Sequence, residues 1–314
     1  MPLDRHTKRF LDMMALGKSA ASLPSPEAMR QTFSSLASAV DVKNVAVGGC
    51  EDRAIPAAAG DIPLRVYTPV AAGAGALPAL VFFHGGAGVF CSIATHDGLC
   101  RLLANASGCR VISVGYRLAP EHRFPAAVED ACAATAWVLA NCEGLGIDPQ
   151  RVGIAGDSAG ATLAAVVCQQ LRGDGARGRI ALQLLICPVT DPGRDWPSRR
   201  AFAQGYFFDA ATLDWALGHY LPAGAELSDP RVSPLRAVDF GELPPAHVHT
   251  AEFDPFRDEG EAYAAALEHA GVPAACTCHA GMIHHFYCLS GIIPAARSVI
   301  DGIGRSAGAA LSAD

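Results

Sequence analysis

The sequence predicts an α/β fold on a mostly parallel central sheet. Two observations carry this. Short continuous apolar runs recur along the chain, as strands buried on both faces require. Stretches with helical apolar spacing alternate with them. In such sheets ligands gather at the carboxyl ends of the strands, so chemistry is sought in the turns that follow the runs.

The strand candidates come in order. Residues 64–67 alternate in polarity and stop at Thr68-Pro69. Residues 79–83 (ALVFF) are apolar throughout, and 110–114, 152–155, 182–186 and 247–250 are similar. Residues 274–278 (AACTC) alternate and close the set. Helical spacing marks 126–139, 159–171, 210–220 and 259–270. The Ala/Gly stretch at 71–76 reads as a surface loop between two strands. Two segments break the alternation: 1–45, helical in pattern, and 193–235, inserted between two strand candidates. Together they are expected to form a lid over the strand ends. The implied division is 1–45 and 193–235 as cap, 46–192 and 236–314 as core.

Composition narrows the function. Of 314 residues, 51% are hydrophobic and 18% charged, and the formal net charge is -7. No basic run exists to neutralise phosphates, which argues against nucleic-acid partners. The first residues carry Asp4, Arg5, Lys8 and Arg9 without an apolar stretch behind them, unlike a secretory signal. The most apolar run, ALPALVFFHGGAGVF, is too short to span a bilayer and is broken by glycines. A cytoplasmic protein without a membrane partner is expected. The eleven cysteines are scattered and include no CxxC pair. Cys276-Thr277-Cys278, beside His279, has the wrong spacing for a zinc pair, so the cysteines are expected to be reduced packing residues and no metal is expected.

Residues 156–160 read GDSAG, a G-x-S-x-G pentapeptide between a strand and a helix candidate. That is the context of a nucleophile elbow, a sharp turn that lifts the Ser158 hydroxyl clear of the sheet at a helix N-terminus. Residues 84–88 read HGGAG after the strand at 79–83. A hydroxyl attacking an acyl carbonyl creates an oxyanion, and close backbone N–H donors must meet it. Gly85 and Gly86, with Ala159 after the nucleophile, are the expected donors. No phosphate-loop pattern is present.

In sites of this type the acid and then the base follow the serine along the chain. Asp254, just past the strand at 247–250, precedes a proline and so belongs in a loop. Asp258 and Glu259 open the next helix and are expected to complement its positive end. His284 and His285 follow the last strand candidate. Either imidazole could take the serine's proton and return it to the leaving group, with Asp254 holding the ring. These residues alone do not choose between the two.

The set resembles the hormone-sensitive-lipase-like bacterial esterases, the family IV carboxylesterases. The resemblance rests on HGGAG at 84–88, YRLAPEH at 116–122 with FPAA at 124–127 and Asp130, and GDSAG at 156–160. It extends through DPR at 229–231 with SPL at 233–235, DPFRDEG at 254–260 and GMIHHF at 281–286. It implies an α/β-hydrolase fold, with a mostly parallel eight-stranded sheet flanked by helices and a helical cap. It implies Ser158, Asp254 and His284 as the triad, with Gly85, Gly86 and Ala159 as oxyanion donors. It further implies no cofactor or metal, a small-molecule ester of short to medium acyl chain as substrate, and a homodimer through the edge strand. Three positions depart from the family's usual pattern: Gly115 for aspartate, Ala87 for the third glycine, whose N–H is not expected to be a main oxyanion donor, and His285 for the glycine after the catalytic histidine. His285 is expected to narrow the alcohol side. Tyr206, Phe207, His285 and Phe90 are the expected substrate contacts. Among the cap residues, Met13, Met14, Phe202, Phe208 and Leu213 are further apolar candidates for an acyl pocket. Arg117, Glu121 and Asp130 are expected to brace the loop beneath the oxyanion strand.

An amidase, deacetylase, lactonase or acyltransferase would share this machinery. A non-catalytic ligand-binding protein of the same fold would lack the base or block the hole, and here neither is missing. Ser-x-x-Lys chemistry is excluded, because Ala161 stands where the lysine is needed.

Overall fold

The computed structural model describes residues 2–17, 23–57, 59–73, 75–173 and 180–312. Its strands are β1 (Gly49–Ile55), β2 (Ile62–Thr68), β3 (Leu77–Phe83), β4 (Arg110–Val114), β5 (Ile147–Asp157), β6 (Ile180–Ile186), β7 (Ala246–Phe253) and β8 (Ala274–Ile283). They form one sheet in the order β1-β2-β4-β3-β5-β6-β7-β8. The β1–β2 and β2–β4 pairs are antiparallel and all others parallel. This is the expected eight-stranded, mostly parallel sheet. The loop expected at 71–76 joins β2 to β3, and its Ala74 lies outside the described residues.

The apolar runs follow from two-sided burial. Val81 and Phe83 pack into one layer with α4 (Ala126–Ala140), α5 (Ala159–Gln170) and α8 (Arg257–His269). Leu80 and Phe82 pack into the opposite layer with α3 (Asp97–Ser107) and α9 (Pro294–Ser312). A strand covered on both faces has no polar side to alternate with. The four helices expected from spacing are α4, α5, α7 (Ala210–Tyr220) and α8, within two residues at each end.

Sequence reasoning missed β1, α3 and α9. β1 is an edge strand whose residues 50–54 are exposed, so it carries no apolar signal. In α9 the glycines hid the pattern. A Cβ at Gly304 or Gly308 would run into Ala106 and Ser107, so these glycines let α9 lie close against α3.

The remaining helices lie in the two segments that break the alternation: α1 (Arg5–Gly17) and α2 (Pro26–Val40), then α6 (Pro197–Ala201) and α7. The start of α2 is legible in sequence. Ser25 accepts the Ala28 N–H at 3.3 Å and Pro26 occupies the first turn. Met29 of α2 and Leu213 and Ala216 of α7 share one apolar cluster with Val89, Phe90 and Phe256. Val89 and Phe90 follow β3, and Phe256 follows β7, so α2 and α7 pack at the carboxyl ends of these two strands.

Two ion pairs anchor these segments, one at the surface and one buried. Arg30 of α2 donates to Val89 O at 2.9 Å and Ala119 O at 2.8 Å, and grips Glu121 with two bonds of 2.8 and 2.7 Å. Arg199 of α6 pairs with Glu259 at 2.6 Å. The Glu259 carboxylate also accepts the N–H groups of Thr190 (2.9 Å) and Asp191 (2.6 Å). Glu259 thus stands in the first turn of α8, as expected, but its fully buried side chain holds residues 190–199 rather than only complementing the helix end. Removing it as Glu259→Ala strands Arg199 and two N–H groups. A loss of roughly 3–5 kcal/mol of stability is expected, measurable by urea unfolding.

Among the described residues no helix is long and apolar enough to cross a membrane. Cys100, Cys109, Cys168 and Cys288 are buried, while Cys276 and Cys278 lie exposed on β8.

Candidate active site

Parallel strands deliver their carboxyl ends to one rim, and four of the following loops meet there. Ser158 sits between β5 and α5 with φ 52° and ψ −123°. The turn is that sharp because Gly156 and Gly160 let strand and helix touch. A Cβ at Gly156 would strike the Gly160 backbone, and one at Gly160 the carbonyls of Phe83 and His84. The Ser158 N–H is held by Ile186 O of β6 at 2.8 Å.

Asp254 follows β7 directly and His284 follows β8 directly. His284 Nε2 lies 3.0 Å from Ser158 Oγ, and its Nδ1 lies 2.8 Å from Asp254 Oδ2. Asp254 Oδ1 accepts the Phe256 N–H at 2.7 Å. Asp254 and His284 are buried, and the His284 ring is walled by Phe208 and Phe256 at 5.4 and 5.0 Å between centroids. His285 turns away. It takes φ +72°, stacks on Phe207 at 5.2 Å, and meets Phe33 of α2 edge-on at 5.7 Å. Burial, then the charge of His96, pushes its imidazole down to about 3, so it packs as a neutral ring. The geometry therefore brings His284, and not His285, to the serine.

The loop after β3 corrects one expectation. The Gly85 N–H, expected to face the oxyanion, donates to Asp157 Oδ1 at 3.0 Å. The N–H groups of Gly86, Ala87 and Ala159 have no acceptor among the described residues. Each of these three amides is oriented from the opposite end of its peptide. The Gly85 carbonyl accepts from His84 Nδ1 at 2.7 Å, which fixes the plane carrying the Gly86 N–H. The Gly86 carbonyl accepts Val89 N and Phe90 N, both at 2.9 Å, which fixes the Ala87 N–H. The Ser158 carbonyl accepts Thr162 N at 3.1 Å, which fixes the Ala159 N–H. Burial pushes the His84 imidazole down to about 4. Its neutral ring stacks on Tyr116, whose hydroxyl donates to His84 O at 2.6 Å. Arg117 and Asp130 brace this region through bonds of 2.8 to 3.0 Å. Glu121, the third expected brace, instead reaches α2 through Arg30.

Cys187, at the end of β6, places its sulfur with the facing atoms of Asp254 and His284, all within 4.8 Å of one another. These are three donor types a metal can use. The pairing points elsewhere, because His284 Nδ1 and Asp254 Oδ2 are spent on each other. Burial, then the nearby Asp254 carboxylate, pushes the thiol well up, so the sulfur keeps its proton.

A cavity of about 60 Å³ opens beside Ser158, walled by Leu163, Val189, Phe208, Leu213, Leu217 and Tyr220 among others. Phe208 and Leu213 were expected there. Tyr206, Phe207, His285 and Phe90 are not among its lining residues. Tyr206 stacks on Phe253 at 5.7 Å, and Phe90 packs on Phe33 at 4.4 Å. Phe202 joins Tyr206, and Met13 is exposed on α1. The missed positions 216, 217 and 220 did carry a signal. With 213 they form one face of a helix, spaced three and four apart.

A family model described as the α/β hydrolase fold matches residues 80–288, more than half of the chain. The carboxylic ester hydrolase LipN of Mycobacterium tuberculosis is 46% identical over 226 residues, covering 70% of this chain and 59% of that protein. The ethyl acetate hydrolase of Pseudomonas putida is 42% identical over 235 residues, covering 74% of this chain and 73% of that one. Among solved structures, a hyperthermophilic esterase from the archaeon Pyrobaculum calidifontis superposes with a TM-score of 0.93 at 38% identity, over 98% of this chain and 99% of that one. Fold, motifs and relatives agree: the chain belongs to the α/β-hydrolase family, within its hormone-sensitive-lipase-like group of serine esterases.

Proposed function

We propose that the protein hydrolyses short-chain carboxylic esters through an acyl-enzyme on Ser158. The observation that carries this is the unbroken contact chain from Asp254 Oδ2 through His284 to Ser158 Oγ, at 2.8 and 3.0 Å. Ser158 Oγ attacks the ester carbonyl while His284 Nε2 takes its proton. The carbonyl oxygen becomes an oxyanion, received by the N–H groups of Gly86, Ala87 and Ala159. Each such donor is worth about 3 kcal/mol of barrier, and more in a site free of water. His284 then protonates the leaving alkoxide, and the alcohol departs. Water repeats the attack on the acyl-serine, with His284 as base, and releases the acid. Asp254 holds the ring and stabilises its charged form in both halves.

The cavity supports the substrate class. It is small, at about 60 Å³, and its walls are mostly apolar, which supports a short acyl chain. Residues 1–45 and 193–235 act together as the cap, α7 closing the acyl side. A series of p-nitrophenyl esters from acetate to palmitate tests this. Rates should peak at acetate to butyrate. A peak at octanoate or longer overturns the short-chain reading, and no turnover of any ester by folded protein overturns the hydrolase reading. The exposed edge of β8 supports pairing with a second copy. Light scattering should give twice the chain mass, and a monomer at working concentration rejects this pairing.

A further inference from the structure

The residue before the nucleophile carries a carboxylate that the mechanism above does not use. Asp157 ends β5 and is fully buried. One of its oxygens takes the Gly85 N–H. His96, 1% exposed at the start of α3, faces the same carboxylate, its Nε2 lying 3.2 Å from Oδ1 and 3.3 Å from Oδ2. The other ring nitrogen of His96 lies 3.0 Å from Thr95 Oγ1. That hydroxyl also lies 2.9 Å from Ser92 O and accepts the Ser92 N–H at 2.9 Å, which fixes its place beside the His96 ring. Both ring nitrogens of His96 therefore lie within hydrogen-bonding reach of a side-chain oxygen, Nε2 of the Asp157 carboxylate and Nδ1 of the Thr95 hydroxyl.

Burying a carboxylate beside the nucleophile has an electrostatic consequence. Negative charge develops on the oxyanion during attack, and a second negative charge nearby in a dry site opposes it. Three histidines surround Asp157. Burial pushes His84 down to about 4 and His285 to about 3, so neither carries a compensating charge. Burial would also push Asp157 up, but the charge and hydrogen bond of His96 outweigh it and hold the carboxyl below its ordinary value.

Resting on the esterase reading, we infer that Asp157 and His96 are a pair of positioning residues for the oxyanion loop. Asp157 holds the His84–Gly85 peptide so that the next two amides face Ser158 Oγ, and His96 cancels the charge this requires. Neither touches substrate. The pair resembles the triad's own Asp–His contact but sits behind the loop and transfers no proton.

The test compares His96→Gln, Asp157→Asn and the double variant, using p-nitrophenyl butyrate and inactivation by diethyl p-nitrophenyl phosphate, whose phosphoryl oxygen occupies the same hole. His96→Gln should lower kcat roughly tenfold to a hundredfold with KM nearly unchanged, and slow inactivation in parallel. Its kcat should also decline toward high pH, as the uncompensated Asp157 ionises. The double variant should recover most of the loss and lose the decline, because a neutral amide oxygen still accepts the Gly85 N–H. A purely structural role would not be relieved by a second substitution. Wild-type kcat in His96→Gln, or a loss that Asp157→Asn does not relieve, overturns the inference. A wild type inert toward all esters overturns both readings, whereas an active wild type with an unaffected His96→Gln overturns this one alone.

Discussion

Ser158→Ala and His284→Ala should each lower kcat on the order of a million-fold, while His285→Ala stays within roughly tenfold of wild type. The asymmetry between adjacent histidines follows from their backbones. His284 continues from β8 and sets Nε2 3.0 Å from Ser158 Oγ. His285 adopts φ +72°, which swings its ring between Phe207 and Phe33. Alanine at 285 removes that packing and loosens the contact between α2 and residues 206–208 without reaching the proton path. The serine and histidine act as a unit, so the double variant Ser158→Ala/His284→Ala should be little worse than either single one. Ser158→Ala keeps the turn, because alanine meets the same backbone demand at φ 52° that serine already meets. Initial rates on p-nitrophenyl butyrate, with circular dichroism to check the fold, decide the matter. Inactivation by His285→Ala together with activity in His284→Ala would reverse the assignment.

What the sequence made legible follows from how local each signal is. The strand-turn-helix at Ser158 is local: strand pattern, two glycines and helix pattern lie within a few residues. Asp254 and His284 were findable because each ends a strand, and parallel strands end at one rim. The free amides of HGGAG were not findable. Gly85 and Gly86 are chemically identical, and only the approach of Asp157 from another strand shows that the Gly85 N–H is taken. Glu259 is similar: a glutamate in a first helical turn reads as a dipole partner until Arg199 and the N–H groups of Thr190 and Asp191 close around it. The aromatic residues near the site show the same limit in another form. Residues 206–208 are irregular, with Phe207 at φ +77°, so no period says which ring faces the serine. Only Phe208 does. Helix α7 has a period, and its face at 213, 216, 217 and 220 could have been read as the cavity wall.

Asp254→Asn should lower kcat by about four orders of magnitude without loss of stability. The substitution is isosteric, and the structure dictates how the amide sits. The Phe256 N–H points at Oδ1 from 2.7 Å and demands an acceptor there. The amide oxygen must take that place, which puts the NH₂ where Oδ2 now receives His284 Nδ1. An NH₂ can only donate, so Nδ1 must present its lone pair and the imidazole proton moves to Nε2. His284 would then donate to Ser158 Oγ instead of accepting from it, and the serine has no base. Binding groups are untouched, so KM should hold while kcat falls, and thermal unfolding should match the wild type. A loss smaller than about tenfold would mean that Asp254 does not set the tautomer of His284. A large loss in a fully folded variant would mean that one proton on the wrong ring nitrogen, with every heavy atom in place, suffices to stop the reaction.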